Sequence, residues 1–268
     1  MPTDLISSDA LVSFTHDLAD ASALAIEPFF RNDLAVTAKG GCEHFDPVTE
    51  ADRAAETIIR SEIQKIYPDH AILGEEHGST AGTMPYRWII DPIDGTRAFI
   101  LGLPTWGTLI GLEFNCVPMI GLMNQPFTRD RFWSDGQTSY FRNGDTTARK
   151  IKTRSSVTLS NAQMACTHPD MFDAGFEARA YAAITANAKS CRLGTDCFGY
   201  ALLAAGLIDL VVEAKLQPYD VVALIPIINN AGGIITTWDG GSAQHGGRIV
   251  AAANAKLHAE VLDIINTS

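Results

Sequence analysis

Basic side chains are scarce in this chain. Its 268 residues hold 20 Lys and Arg against 31 Asp and Glu, a formal net charge of −11. Such acidity repels phosphate backbones and excludes nucleic acid as a general partner; it equally disfavours an anionic membrane surface. There is no apolar run near the roughly 20 residues of a transmembrane helix. There is also no internal repeat, no low-complexity segment and no C-x-x-C pair. The 5 cysteines (Cys42, Cys116, Cys166, Cys191, Cys197) form an odd, unpatterned set, which suits reduced core thiols better than a disulfide framework. The histidines His44, His77, His168 and His245 lack metal-ligand spacing. The first residues, MPTDLISSDA, carry acids where an export signal has a basic region, so the expectation is a cytoplasmic protein.

With 46% hydrophobic and 19% charged residues the chain is globular, long enough for one large domain or two modest ones. Leu11, Phe14, Leu18, Ala21 and Ala25 recur at helical spacing and predict a helix from about Ser8 to Phe30. Thr49-Glu50-Ala51-Asp52 resembles a capping box ahead of an apolar stripe through Ala55, Ile59 and Ile63, and Tyr67-Pro68 ends that helix. Short strands are expected at Ala71–Leu73, Trp88–Ile90, Gly107–Phe114, Val117–Asn124 and Arg131–Ser134. The polar stretch from Asp135 to Ser156 is the best domain boundary, giving an N-terminal α+β half, 1–150, and a C-terminal α/β half, 151–268. In the second half, strands at Gln163–Thr167, Cys191–Leu193, Ile208–Glu213, Ile234–Thr237 and Ile249–Ala253 alternate with helices. Those helices are expected at Phe172–Asn187, Cys197–Ala205, Pro218–Asn230 (kinked at Pro226) and Lys256–Ile265.

The chemistry concentrates at Trp88–Thr96. An apolar strand ends in Asp91, and a second carboxylate, Asp94, follows after a turn stiffened by Pro92. Gly95 permits close backbone approach, and Thr96 opens a helix whose free N–H groups suit a phosphate. Two carboxylates held so near each other share a proton or hold a cation. Oxygen-only donors favour a hard ion, Mg²⁺ before Zn²⁺. Helix capping by Asp91 and dipole pairing by Asp94 explain the same residues equally well. Glu75 after a strand, and Asp52 and Asp220 at helix starts, have the same two readings. Spacing alone does not bring these segments together.

Taken in order, Gly74-Glu75-Glu76, Asp91-Pro92-Ile93-Asp94-Gly95-Thr96, and Tyr219-Asp220 with Ala231-Gly232-Gly233 resemble the inositol monophosphatase family from Lys39 to Gly233. Within it, the chain resembles the histidinol-phosphate phosphatase branch, on Phe45-Asp46-Pro47-Val48-Thr49-Glu50-Ala51-Asp52-Arg53, Asp94-Gly95-Thr96-Arg97-Ala98-Phe99, Gly102-Leu103-Pro104-Thr105-Trp106-Gly107, Asp196-Cys197 and Pro218-Tyr219-Asp220.

The resemblance implies a layered αβαβα sandwich and a Mg²⁺-dependent phosphate monoester hydrolase acting on L-histidinol phosphate. Inositol 1-phosphate or another small sugar or nucleotide phosphate is the alternative substrate, and a non-catalytic metal-binding regulator the third reading. It implies two or three Mg²⁺, with Mn²⁺ as a substitute, on Glu75, Asp91, the Ile93 carbonyl, Asp94 and Asp220. The implied catalytic set is Glu75, Asp52 and Thr96, the last oriented by Asp52 to position and deprotonate the attacking water. Gly95 and Thr96 would cradle phosphate, Arg192, Asp196, Glu213 and Arg97 would contact substrate, and Lys39 falls near a family lysine. Lithium inhibition and a homodimer are further family expectations. Lys215, where relatives commonly have Gly, and Asn229-Asn230 depart from the family pattern outside the metal motifs.

Overall fold

The computed structural model describes residues 8–32, 36–38 and 47–268. Lys39, Cys42, His44, Phe45 and Asp46 lie outside the described residues. Helix α1 (Ser8–Ile26) precedes the short antiparallel pair β1 (Val36–Ala38) and β2 (Pro47–Thr49), and α2 (Glu50–Ile66) follows. Then come β3 (Ala71–Gly74), β4 (Gly78–Thr80), β5 (Tyr86–Asp94), α3 (Thr96–Ile100), β6 (Gly107–Phe114), β7 (Val117–Gln125), β8 (Asp130–Ser134), β9 (Ser139–Asn143) and β10 (Arg149–Lys150). These strands form an 8-stranded sheet in the order β10-β9-β8-β7-β6-β5-β3-β4, antiparallel except where β3 runs parallel to β5.

The second half supplies β11 (Gln163–Cys166), α4 (Phe176–Asn187), β12 (Ser190–Leu193), α5 (Asp196–Ala204), β13 (Leu210–Leu216), α6 (Pro218–Val221) and α7 (Leu224–Asn229). It ends with β14 (Ile234–Thr237), β15 (Gly247–Ala252) and α8 (Ala255–Thr267). The 5-stranded sheet has the order β12-β11-β13-β15-β14.

Strand alternation builds the layers, because successive side chains leave opposite faces. On the first sheet, Trp88, Ile90, Ile110, Leu112, Ile120 and Leu122 pack against Leu11, Leu18, Ile59 and Ile63 of α1 and α2. Their neighbours Leu109, Met123 and Phe132 turn the other way and meet Tyr200, Ala201, Leu224 and Ile227 of α5 and α7. The second sheet closes that layer with Val211, Ile249 and Ala251. Its opposite face, Met164, Leu210, Val212 and Val250, is covered by α4 and α8 through Ile184, Leu257 and Val261. The order is helix, sheet, helix, sheet, helix, an α+β layered fold.

The polar stretch 135–156 carries β9 and β10, with which the first sheet ends at Lys150, and two local expectations change. Aromatic pairs across β8 and β9 hold it there, with Phe141 on Phe132 at 4.6 Å and Tyr140 stacked on Trp133 at 5.4 Å. The helix expected from Phe172 begins at Phe176, after Gly175 at φ 98. The helix expected from Pro218 to Asn230 is interrupted at Val222–Ala223, both still in the right-handed helical conformation, since Pro226 has no N–H to offer the Val222 carbonyl.

That break is seated on two glycines. Gly111 and Gly121 are cross-strand partners on β6 and β7. A Cβ on Gly111 would lie 3.0 Å from the Ala223 nitrogen, and one on Gly121 would overlap the Ala223 carbonyl. The backbone between α6 and α7 therefore rests directly on the sheet, which fixes where α6 presents Asp220.

Candidate active site

Strand β5 carries the first two acids. Its pairing with β6 slips between Asp91 and Asp94, where Pro92 interrupts the ladder. Asp91 Oδ1 accepts the Ile93 N–H at 3.1 Å, closing the turn. Asp94 Oδ2 accepts the Cys197 N–H at 2.7 Å, so it caps the incoming α5 rather than its own helix. Asp220 Oδ2 accepts the Gln217 N–H at 2.7 Å as a cap of α6. Capping and clustering thus coexist: Asp91, Asp94 and Asp220 bring carboxylate oxygens within 4.8 Å of one another. Glu75 leaves the end of β3, its N–H donating to Ile90 O at 3.2 Å, which sets it beside Asp91.

Burial and the neighbouring carboxylates disfavour these anions, and hydrogen bonds from Cys197 and Gln217 only partly offset them. Burial first, then Glu75, Asp94 and Asp220, push Asp91 well above the usual carboxylate range. Burial, Asp220 and Asp196 do the same to Asp94. Burial pushes Asp220 up to about 7, against the Gln217 N–H that favours its anion, and Glu75 and Glu213 add to the rise through space. Every strong charge acting on the three is negative. An oxygen-only, buried, mutually repelling cluster fits a hard divalent cation, which removes the repulsion.

A cavity of about 80 Å³ adjoins the cluster, lined by Asp94, Thr167, Met171, Asp196, Cys197, Tyr200, Glu213, Leu216 and Asp220. Glu213 is held by the Thr167 N–H at 2.8 Å and the Tyr200 hydroxyl at 2.9 Å, and burial raises it to about 7. Burial also raises Asp196 to about 6, although the Thr105 hydroxyl and Arg97 oppose the shift. Asp196 adopts φ 44, a left-handed conformation that Asp tolerates, and sits against Gly95. Arg97 is exposed but acts on Asp196 electrostatically. Arg192 is exposed on β12 and does not line the cavity.

The expected link between Asp52 and Thr96 is not made. The capping box takes one oxygen of Asp52: Oδ2 accepts the Thr49 N–H at 2.9 Å and its hydroxyl at 2.6 Å. Oδ1 is buried and has no hydrogen-bond partner among the described residues. The Thr96 hydroxyl instead donates to the Ile93 carbonyl at 3.2 Å, the atom expected to face the metal. Burial, partly offset by Thr49, raises Asp52 to about 6.

Several supporting residues escaped sequence reasoning. Tyr200 and Thr167 orient Glu213, and the first N–H groups of α5 orient Asp94. Glu56 and Arg60 form an ion pair at 2.6 Å on the buried face of α2. Their signal was present, since both charges fall beside Ile59 and Ile63 on the apolar stripe. The Lys215 departure has a local reason: it sits at a β-bulge with φ 64, the conformation Gly adopts most easily, and pairs with Asp173 at 2.7 Å.

The model of the inositol monophosphatase family matches residues 8–268. The chain belongs to the inositol monophosphatase family. It is 35% identical to the histidinol-phosphatase of Streptomyces coelicolor over 94% of this chain and 95% of that protein. It is 37% identical to the chloroplastic bifunctional phosphatase IMPL2 of Arabidopsis thaliana, covering 95% of this chain and 75% of the relative. Among solved structures, an inositol monophosphatase from Zymomonas mobilis superposes with a TM-score of 0.85 at 34% identity, covering 98% of this chain and 100% of the other. As an inositol monophosphatase family protein the chain is a phosphatase, and the family's use of divalent metals agrees with the acidic cluster. Among the described residues, no helix is long and apolar enough to cross a membrane.

Proposed function

We propose that this phosphatase is Mg²⁺-dependent and hydrolyses L-histidinol phosphate, releasing L-histidinol and phosphate in histidine biosynthesis. The observation that carries the substrate is the cavity beside the acid cluster. Asp196 and Glu213 both line it, and no Lys, Arg or His does among the described residues. The amine and imidazole of histidinol phosphate give its organic end the positive charge such a lining attracts, whereas a neutral polyol gains less from it. The names of the Streptomyces coelicolor and Mycobacterium tuberculosis relatives, both histidinol-phosphatases, support the same choice.

Glu75, Asp91, Asp94 and Asp220, with the Ile93 carbonyl, would hold the cation. Bound Mg²⁺ supplies positive charge to the phosphate and to the entering and leaving oxygens of an in-line displacement. The chain's own groups do the rest. The N–H groups of Gly95 and Thr96 bind phosphate oxygens; Gly95 at φ 84 leaves no side chain in the way. The Thr96 hydroxyl and Oδ1 of Asp52, which has no partner among the described residues, position the attacking water. As its oxygen bonds phosphorus the water gives up a proton, and the departing alkoxide takes one up. Glu213 and Asp196 hold the cationic end of the substrate, so the ester oxygen points at the cluster. Arg97, which acts on Asp196, contributes from the rim.

Phosphate release from L-histidinol phosphate and from inositol 1-phosphate, measured side by side with Mg²⁺, tests the reading. A higher kcat/KM for inositol 1-phosphate would overturn the substrate and leave the chemistry.

A further inference from the structure

The turn that carries Glu75 is held from below by a buried clamp. Glu56 on α2 is fully buried. Its Oε2 accepts the Glu76 N–H at 2.7 Å and its Oε1 the His77 N–H at 3.1 Å. Arg60 Nε donates to the same Oε1 at 2.6 Å. Arg60 then reaches β4, where Nη1 donates to Thr80 Oγ1 at 3.0 Å and Nη2 to Gly78 O. The carboxylate lies so close under the turn that a Cβ on Gly74 would overlap it. Only glycine at position 74 lets the clamp form. On the other side, the Glu75 N–H is fixed to Ile90 O at 3.2 Å. Backbone on both sides of Glu75 is thus tied down, by β5 before it and by Glu56 after it.

We infer that Glu56 is a positioning residue for the Glu75 carboxylate, and that Gly74 and Arg60 belong to the same device. It rests on the proposed function only in taking Glu75 as a cation ligand. A backbone-anchoring charge of this kind spends its energy on geometry: it fixes where the Glu75 side chain starts, and therefore how much ordering a cation must impose on binding. A charged acceptor is required because two N–H groups and a guanidinium converge on it, and a neutral amide would turn a donor toward one of them.

Calorimetric titration of the full chain with Mg²⁺ alone, without substrate, tests the role. Glu56→Gln and Gly74→Ala perturb the clamp from opposite sides. Both should weaken Mg²⁺ binding roughly tenfold or more, the usual scale for groups that orient a ligand. The apparent KM for Mg²⁺ in phosphate release should rise by the same factor, while KM for the ester at saturating Mg²⁺ moves less. Melting in EDTA sets a temperature at which each variant is folded. If Glu56→Gln does not fold, Gly74→Ala and Thr80→Val decide: Gly74→Ala keeps both charges while displacing the carboxylate, and Thr80→Val leaves the Glu56–Arg60 pair in place. Variants that melt lower yet bind Mg²⁺ with wild-type affinity overturn the inference and make the clamp a fold element only. A wild-type chain that binds Mg²⁺ but releases phosphate from no ester overturns the proposed function, while the calorimetry still decides on Glu56. Absence of Mg²⁺ binding by the wild type overturns both.

Discussion

Gly121→Ala is the sharpest test of how the fold holds its acids together. The added Cβ would lie 2.8 Å from the Ala223 carbonyl carbon and 2.9 Å from Pro226 Cγ, and would overlap the Ala223 oxygen itself. Those atoms belong to backbone and to a proline ring, so no rotamer change relieves the contact. Overpacking a core costs about 1–3 kcal/mol, and a clash against backbone belongs at the upper end. For a chain of this size about 3 kcal/mol lowers Tm by roughly 6–12 °C. The α6–α7 break must lift from β6 and β7, and Asp220 moves with it, away from Asp91. Differential scanning calorimetry in EDTA should show the lower Tm, and the Mg²⁺ dependence of phosphate release should shift to higher concentration. Val117→Ala, on the same strand but exposed, should change stability by no more than about 0.5 kcal/mol. A Gly121→Ala Tm within about 2 °C of wild type, with unchanged Mg²⁺ dependence, would refute the seating argument.

Other outcomes follow from the same charges and turns. Asp94→Asn should abolish Mg²⁺-dependent turnover while keeping near-UV circular dichroism, because it relieves repulsion in the metal-free cluster; near-normal activity would remove Asp94 from the site. In EDTA, stability should fall as pH rises. Asp52 and Asp196 at about 6, and Glu213 and Asp220 at about 7, are all raised, so their protonated forms stabilise the fold fully only below the ordinary value of 3.8 for Asp, and that stability is lost as pH rises through about 7. Glu213 alone, from 4.5 to about 7, sets an upper limit of about 3 kcal/mol. Urea unfolding at pH 5 and pH 8 reads the difference, which Mg²⁺ should shrink; stability that rises with pH in EDTA contradicts the electrostatics. Lys215→Gly relieves a left-handed conformation worth about 1–2 kcal/mol and gives up one exposed ion pair, so Tm should hold or rise slightly.

Much of this was written locally. Helix α2, its capping box at Thr49 and its end at Tyr67 follow from spacing and chain chemistry a few residues apart. The hairpin of β6 and β7 turns at Asn115-Cys116, as the paired apolar runs imply, with φ 50 and 62 at the two turn residues. Asp91 and Asp94 were legible as a pair because one strand end and one turn carry both. Pro226 was legible as a disruption, and its effect is a lost helical hydrogen bond at Val222, four residues earlier, where the backbone stays helical. The aromatic matches that draw β9 onto β8 were not legible, because a polar, Gly-rich stretch hides residues whose partners lie on another strand.

What the sequence determined by itself is the inventory: which acids stand at strand ends and helix starts, and which motifs they share with the inositol monophosphatase family. Only the tertiary structure decided which of them meet. Asp220 joins Asp91 because two glycines on adjacent strands admit a helix break, and Asp94 is aimed by an N–H of α5 from the other half. Asp52 is turned by Thr49 and leaves Thr96 to the Ile93 carbonyl. These are contacts between residues far apart in the chain, fixed by packing of layers, and no periodicity along a single segment encodes them.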